Sequence, residues 1–500
     1  MSERQEFSNR WGIILASLGM AIGAGNLWRF PRLAGQYGGS FILLWILFLL
    51  VWSVPLLLAE FSIGKRFRSG VIGSFGKLAG ENLTWLGFFI TVCTLGIAFY
   101  YSVVTAWSIE YLGISIYNLY ENVVSGLSLS DTLSSNPNYL SEQWDGLSSG
   151  SIATVVIYII VIIIGIIVIG RGIKKGLEKA NKILIPSLFI LLAIVAISAL
   201  SMDNGIRGLE YMFAINPEHF KDSKVWLEAL SQSAWSTGAG WGLMITISSY
   251  SRSKEDVTLN TFIGAFGNNT ASLFAGMAIL PAVFALASTE ADAVAHLQSG
   301  SQALTFTIIP KLFAQITGGY FMSVVFFLAL TLAAFSSFLP MLQLFKSNLE
   351  QAGVRAKTTL ILLFVAFVFF GFPSAYSLDF FSNQDWVWGI GLVLSGLFIC
   401  IATMKYGLIK FKHDFIDLDS DFKVSDAYFK YSMIINLFTG VFLIYWWMSR
   451  DYSSDPWFTS DGSWNMLDIY SNATIVTQWG FVLLIGLAIN KSLYKTFSKK

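Results

Sequence analysis

The sequence predicts an all-α polytopic membrane protein of twelve transmembrane helices, and three observations carry that prediction. Of the 500 residues 55% are hydrophobic and only 13% are charged, too little charge to coat a soluble globule. The apolar residues fall into runs of the roughly 20 residues needed to cross a bilayer. Two of those runs, five spans apart, are broken at glycines, in "GMAIGAGN" from Gly19 to Asn26 and in "STGAGWG" from Ser236 to Gly242.

Taken in order, the candidate spans cover 11–34, 40–64, 86–119, 151–169, 179–200, 224–250, 257–287, 319–346, 357–375, 386–406, 428–449 and 475–493. The first lacks a small-residue cleavage site and is longer than a signal-peptide core, so it is expected to be retained. The loop at 121–150 holds neither Lys nor Arg, whereas Lys65, Arg66, Arg68, Arg252, Lys254, Lys410 and Lys412 collect in loops on the opposite side. Basic loops stay in the cytoplasm, so an even number of spans places both termini there.

Several classes are disfavoured. A net charge of +1 argues against a nucleic-acid partner. Cys93 and Cys400 lie in apolar runs and His219, His296 and His413 are far apart, so no disulfide framework and no metal-ligand spacing is present. No cluster of His, Cys or carboxylate could activate water, and an enzyme is not expected.

The glycine breaks carry more. Backbone loosened inside hydrocarbon must find new partners, because each unsatisfied polar group there costs several kcal/mol. Breaks at corresponding positions of two five-span halves point to a transporter built from inverted repeats, with its site at the breaks. Close helix packing through small residues is the other reading of each run.

"GNLWRFP" from Gly25 to Pro31, followed in order by "PLLLAEFSIG" in the second span and "YY" in the third, resembles the signature of the neurotransmitter:sodium symporter family, bacterial amino-acid transporter type. The resemblance covers essentially the whole chain. It implies a 5+5 inverted repeat core with discontinuous first and sixth helices plus two extra helices: a cytoplasmic segment at 1–10, repeats at 11–200 and 224–406, the extra helices within 427–493 and a tail at 494–500. The function it implies is sodium-coupled secondary active symport of a neutral, small amino acid by alternating access, in the cell membrane. The short termini point to a bacterial inner membrane. An amino-acid sensor or a channel-like protein on the same fold is the alternative, and the short tails argue against the sensor.

The resemblance also assigns residues. Two Na+ sites are implied, one from the Ala21 carbonyl with Asn26, Ser236 and Asn268, the other from the carbonyls of Gly19, Ile22 and Ala333 with the hydroxyls of Ser336 and Ser337. Without the family, the two serines read as hydroxyls bonded back to the preceding turn. Asn268 and Ser272, four apart, share one helix face. Ser272 with Gln232 and Ser236 matches the chloride-dependent members, while Trp45 stands where they carry a tyrosine; Cl− is therefore an expected further ion. The amine transporters' aspartate is Gly23 here, so a substrate carboxylate is expected in that space, bound by the Gly25 N–H and Tyr101. Ala24, Ile97, Trp235, Ser236, Gly238, Trp241, Ser337 and Met341 are expected around the substrate. Arg29 with Asp385 is the expected outer gate. Arg4 is the inner gate's cation, with Gln351 where its acid is expected and Glu350 adjacent. Glu60, a carboxylate within the second span, is expected to hold unwound backbone of the first or sixth helix.

Overall fold

The computed structural model describes residues 5–126, 128–298, 304–314, 318–450 and 452–498. Among them nine helices are long and apolar enough to cross a membrane, and a further crossing is a helix pair bent by 65°. The remaining two crossings fail a length test because each is broken. The first consists of Arg10–Ala21 and the opening of Ala24–Phe48, and the sixth of Ser223–Ser236 and Leu243–Ser248. Twelve crossings result, as the sequence predicts.

The polypeptide explains each interruption. Asn9 caps the first half-helix by accepting from the Gly12 N–H, and the helix stops at Ile22, whose backbone is extended. Gly38 turns the first span into the second at φ 58°, ψ −148°. A side chain there would meet the Ala214 carbonyl at 2.6 Å, so the glycine is needed both for its backbone angles and for its bareness. In the sixth span Gly238, Gly240 and Gly242 all have positive φ, which is how the chain passes between two half-helices without forming a regular turn.

Burial sorts the spans into a core and a lipid-facing ring. In the most apolar window of Leu378–Tyr406 83% of residues are buried, and 72% in those of Glu81–Ser125 and Gly319–Gln351, against 33% for Ile152–Gly170, Ile173–Leu200, Ala356–Tyr376 and Asp426–Met448. The ring exposes Ile160, Ile163, Ile167, Phe369, Phe438 and Val441, side chains at no disadvantage against lipid tails. The first half-helix Arg10–Ala21 sits at the centre, packed against Lys179–Leu200, Val257–Leu286 and Gly319–Gln351.

Two expectations are revised. The polar stretch at 121–150 is not a plain loop, because it holds the end of Thr84–Ser125 and two short helices, Leu129–Ser135 and Tyr139–Ser148. The last crossing runs over Asn472–Ala488 and then bends into Asn490–Phe497, so the continuous span at 475–493 is not present. Asn490 marks the bend, its side chain accepting from the Trp85 N–H and donating to the Glu81 carbonyl.

Candidate functional site

The two breaks face each other inside the bundle, and around them the structure gathers uncharged oxygens. At the first break Ser337 Oγ lies 3.0 Å from the carbonyls of both Gly19 and Ile22, and 3.3 Å from that of Met20. Ser336 Oγ lies 3.2 Å from the Ile22 carbonyl and 2.9 Å from that of Ala333, the latter being the bond back to the preceding turn. Each hydroxyl has one proton. Most of these approaches therefore bring oxygen against oxygen with no hydrogen between, an arrangement that a small cation relieves. The C-terminal end of the half-helix Arg10–Ala21 points its free carbonyls at the same place, adding negative potential.

A second group of oxygens forms beside it. Asn268 Oδ1 lies 2.8 Å from the Ser236 carbonyl, 3.2 Å from that of Ala21 and 2.8 Å from Asn26 Nδ2. Asn26 Oδ1 accepts from the Gly23 N–H at 3.0 Å. Turning the Asn268 amide over would let its nitrogen serve both carbonyls but would set it 2.8 Å from Asn26 Nδ2, donor against donor, so neither orientation satisfies every neighbour by hydrogen bonds alone. The residues expected to hold two sodium ions thus come together as two sets of neutral donors, which suits a hard monovalent ion. Neither set contains a charge.

The residues expected to hold chloride supply donors. Trp45 Nε1 and both amide atoms of Gln232 are buried and have no hydrogen-bond partner. Ser272 Oγ accepts from Asn26 Nδ2 at 2.8 Å and Ser236 Oγ from Asn268 Nδ2 at 3.2 Å, leaving both hydroxyl protons available. Unpaired buried donors on helices that pack together fit an anion, and leaving them empty is costly.

The residues expected around a substrate carboxylate meet at the first break. The Ala24 N–H donates to Tyr101 Oη at 3.0 Å, and a Cβ on Gly23 would stand 2.6 Å from that oxygen and 2.9 Å from Ser337 Oγ. A Cβ on Gly25, by contrast, would meet nothing within 4 Å, so open space adjoins the positive N-terminal end of Ala24–Phe48. Trp235 and Trp241 meet edge to face with centroids 5.6 Å apart. The Trp241 carbonyl accepts from Thr94 Oγ1 at 2.6 Å, and a Cβ on Gly238 would reach Met20 Cε at 3.3 Å. Ile97 and Met341 are buried in the same core.

Glu60 is fully buried and Oε1 accepts from the Gly240 N–H at 2.6 Å, tying the second span to the broken sixth.

The charged pairs differ from expectation. Arg29 pairs with Glu228 at 3.0 Å and also donates to Ser231 at 2.8 Å, not to Asp385, which is exposed. Glu228 is held in turn by Arg450 at 3.4 Å, and Arg450 lies over the rings of Trp446, Trp447 and Tyr452 at 4.6 to 4.9 Å. Glu228 therefore already has a fixed cation beside it, and Arg29 joins an anchored carboxylate. Glu350 pairs with Lys346 on its own helix at 3.5 Å. Arg4 lies outside the described residues. Gln351 instead accepts from the Gly70 N–H at 2.8 Å and donates to the Phe497 carbonyl at 2.9 Å. Sequence reasoning passed over Glu228 although a carboxylate inside an apolar span is itself a signal. It also passed over Asn181 of the fifth span, fully buried against Gly19.

A multi-pass bundle whose first and sixth helices break opposite each other, around clustered neutral oxygens, has the build of an ion-coupled secondary transporter. The chain belongs to the sodium:neurotransmitter symporter family, whose model matches residues 4–122 and 124–491. It is 32% identical over 338 residues to an uncharacterized sodium-dependent transporter of Methanocaldococcus jannaschii, covering 67% of each chain. It is 26% identical to the uncharacterized sodium-dependent transporter YhdH of Bacillus subtilis, over 85% of this chain and 86% of that one. Among solved structures it is similar to MhsT in complex with L-phenylalanine, with a TM-score of 0.75 and 26% identity, covering 88% of this chain and 99% of that one. The chain is a transporter of a sodium-dependent family and not an enzyme.

Proposed function

We propose that this protein carries a neutral amino acid into the cell together with sodium, with both termini in the cytoplasm of a bacterium. The observation that carries the reading is the pairing of two structures at one break: proton-poor clusters of neutral oxygens at the end of one half-helix, and unobstructed space at Gly25 before the N–H groups of the next. The first suits Na+, and the second suits a carboxylate. Two sodium sites are assigned, one at Gly19, Ile22, Ala333, Ser336 and Ser337, the other at Ala21, Asn26, Ser236 and Asn268 with the substrate carboxylate. Chloride is assigned to Gln232, Ser236, Ser272 and Trp45, whose donors are unpaired or free to donate. MhsT holds L-phenylalanine; here two large rings, Trp235 and Trp241, meet edge to face at the assigned side-chain end, which favours glycine or alanine.

Sodium entry down its gradient drives the cycle. Each positive charge moving inward contributes about 2.3 kcal/mol per 100 mV. The repeats at 11–200 and 224–406 are assigned as the core around the site, in which the first half-bundle rocks against the rest, with the two added helices outside them. The deciding experiment is uptake of labelled alanine by proteoliposomes. Accumulation above the external concentration, only with sodium outside, is expected; equilibration that ignores sodium would show a channel-like protein instead.

A further inference from the structure

Asn181 stands three residues after Glu178 at the start of the fifth span, and both face the first half-helix. Glu178 is satisfied: it accepts from the Ser8 N–H at 2.8 Å, from Ser8 Oγ at 2.6 Å and from Lys182 Nζ at 2.6 Å, and a side chain at Gly12 would collide with it. Asn181 is different. It is 0% exposed and neither its amide oxygen nor its amide nitrogen has a partner. Its amide oxygen stands against Gly19, where any side chain would overlap it. Gly19 is the residue whose carbonyl meets Ser337 at 3.0 Å.

A buried amide with no partner is expensive, and a group so placed calls for a ligand. Its oxygen is neutral and hard, of the kind already gathered at Gly19, Ile22, Ala333, Ser336 and Ser337. It lies on the side of that cluster where the chain begins, and one turn beyond it comes the Glu178 carboxylate. The sequence of groups runs from carbonyls and hydroxyls, to an amide oxygen, to a charged carboxylate near the end of the bundle.

We propose that Asn181 Oδ1 is a second station for sodium, which takes the cation from the Gly19–Ser337 cluster as it leaves toward the cytoplasm. This rests on the sodium reading of that cluster. The geometry gives Gly19 a purpose of its own in the glycine run: it keeps the two stations adjacent. Station and cluster act at different moments, so removing the first slows exchange and removing the second loses the sodium bound at the cluster.

The test uses 22Na+ with the purified full-length protein, measuring bound sodium at equilibrium and its release after dilution into unlabelled sodium. Asn181→Leu keeps the branch at Cγ and removes the oxygen. It is expected to slow release by about tenfold, the loss of about one ligand contact in the barrier, while leaving equilibrium binding within about twofold. Asn181→Asp keeps the shape and adds charge, and is expected to raise sodium affinity and also slow release. Ser337→Ala is expected to lose bound sodium at the cluster. Release from Asn181→Leu at the wild-type rate would overturn the proposal and leave Asn181 as the holder of a water molecule. So would a loss of equilibrium binding as complete as that of Ser337→Ala. If Asn181→Leu does not fold, unchanged affinity and release in Asn181→Asp overturn it equally. Wild-type protein that binds no 22Na+ would overturn the sodium reading itself, a separate outcome.

Discussion

At Gly23 a Cβ would sit 2.6 Å from the Tyr101 hydroxyl and 2.9 Å from Ser337 Oγ. Gly23→Asp would push a carboxylate into the space assigned to the substrate's own. Like charges that close cost several kcal/mol, so binding of labelled alanine is expected to weaken by at least about hundredfold. Retained affinity would show that the carboxylate lies elsewhere. Asn26→Ala is expected to abolish sodium-dependent binding, since Asn26 touches the Gly23 N–H, Asn268 and Ser272 at once. Chemistry at this scale was legible in the sequence because it is local: three glycines and an asparagine inside an apolar run already demand partners. The partner of Arg29 was not legible. Glu228 is 199 residues away, and what fixes it there is Arg450, just past the end of a third helix, a geometry that no spacing records.

Half-helices behave differently from the continuous spans around them. Gly240 has φ +93°, and a Cβ there would stand 3.1 to 3.2 Å from backbone of Gly396 on the tenth span. Gly240→Ala therefore meets both strain and contact, at a cost of about 1–3 kcal/mol, and should appear as a lower melting temperature. Gly25→Ala is the matched contrast, because its Cβ enters open space. Its stability is expected to stay within about 0.5 kcal/mol of wild type, while larger amino acids lose affinity before glycine does. The same contrast of glycines explains what could be read beforehand. Apolar runs gave the extent of the continuous spans closely, as at Val257–Leu286 and Ile152–Gly170. The two helices within 121–150 escaped notice because short, polar helices are held by caps such as Ser128, which accepts from the Asp131 N–H, and carry no apolar run.

Across the whole molecule, stability and ligand binding are one equilibrium. A bundle whose centre is packed around oxygens lacking protons between them should be firmer with sodium present. At a sodium concentration about 100 times the dissociation constant the gain is about 2.7 kcal/mol, measured as a rise in melting temperature that potassium or choline does not produce. Replacing chloride by gluconate should lower the same melting temperature, and Ser272→Glu should remove that sensitivity by supplying the negative charge covalently. Persistence of the chloride effect in that variant would detach Ser272 from the anion.

The clasp around Arg450 carries a consequence for how such a machine can diversify. Three aromatic rings and the Glu228 carboxylate hold that guanidinium on the chain that follows the eleventh crossing. The carboxylate that restrains Arg29 is thus anchored from outside the ten-helix core. We infer that substitution in this peripheral clasp changes how firmly Glu228 holds Arg29 without touching the residues assigned to ions and substrate.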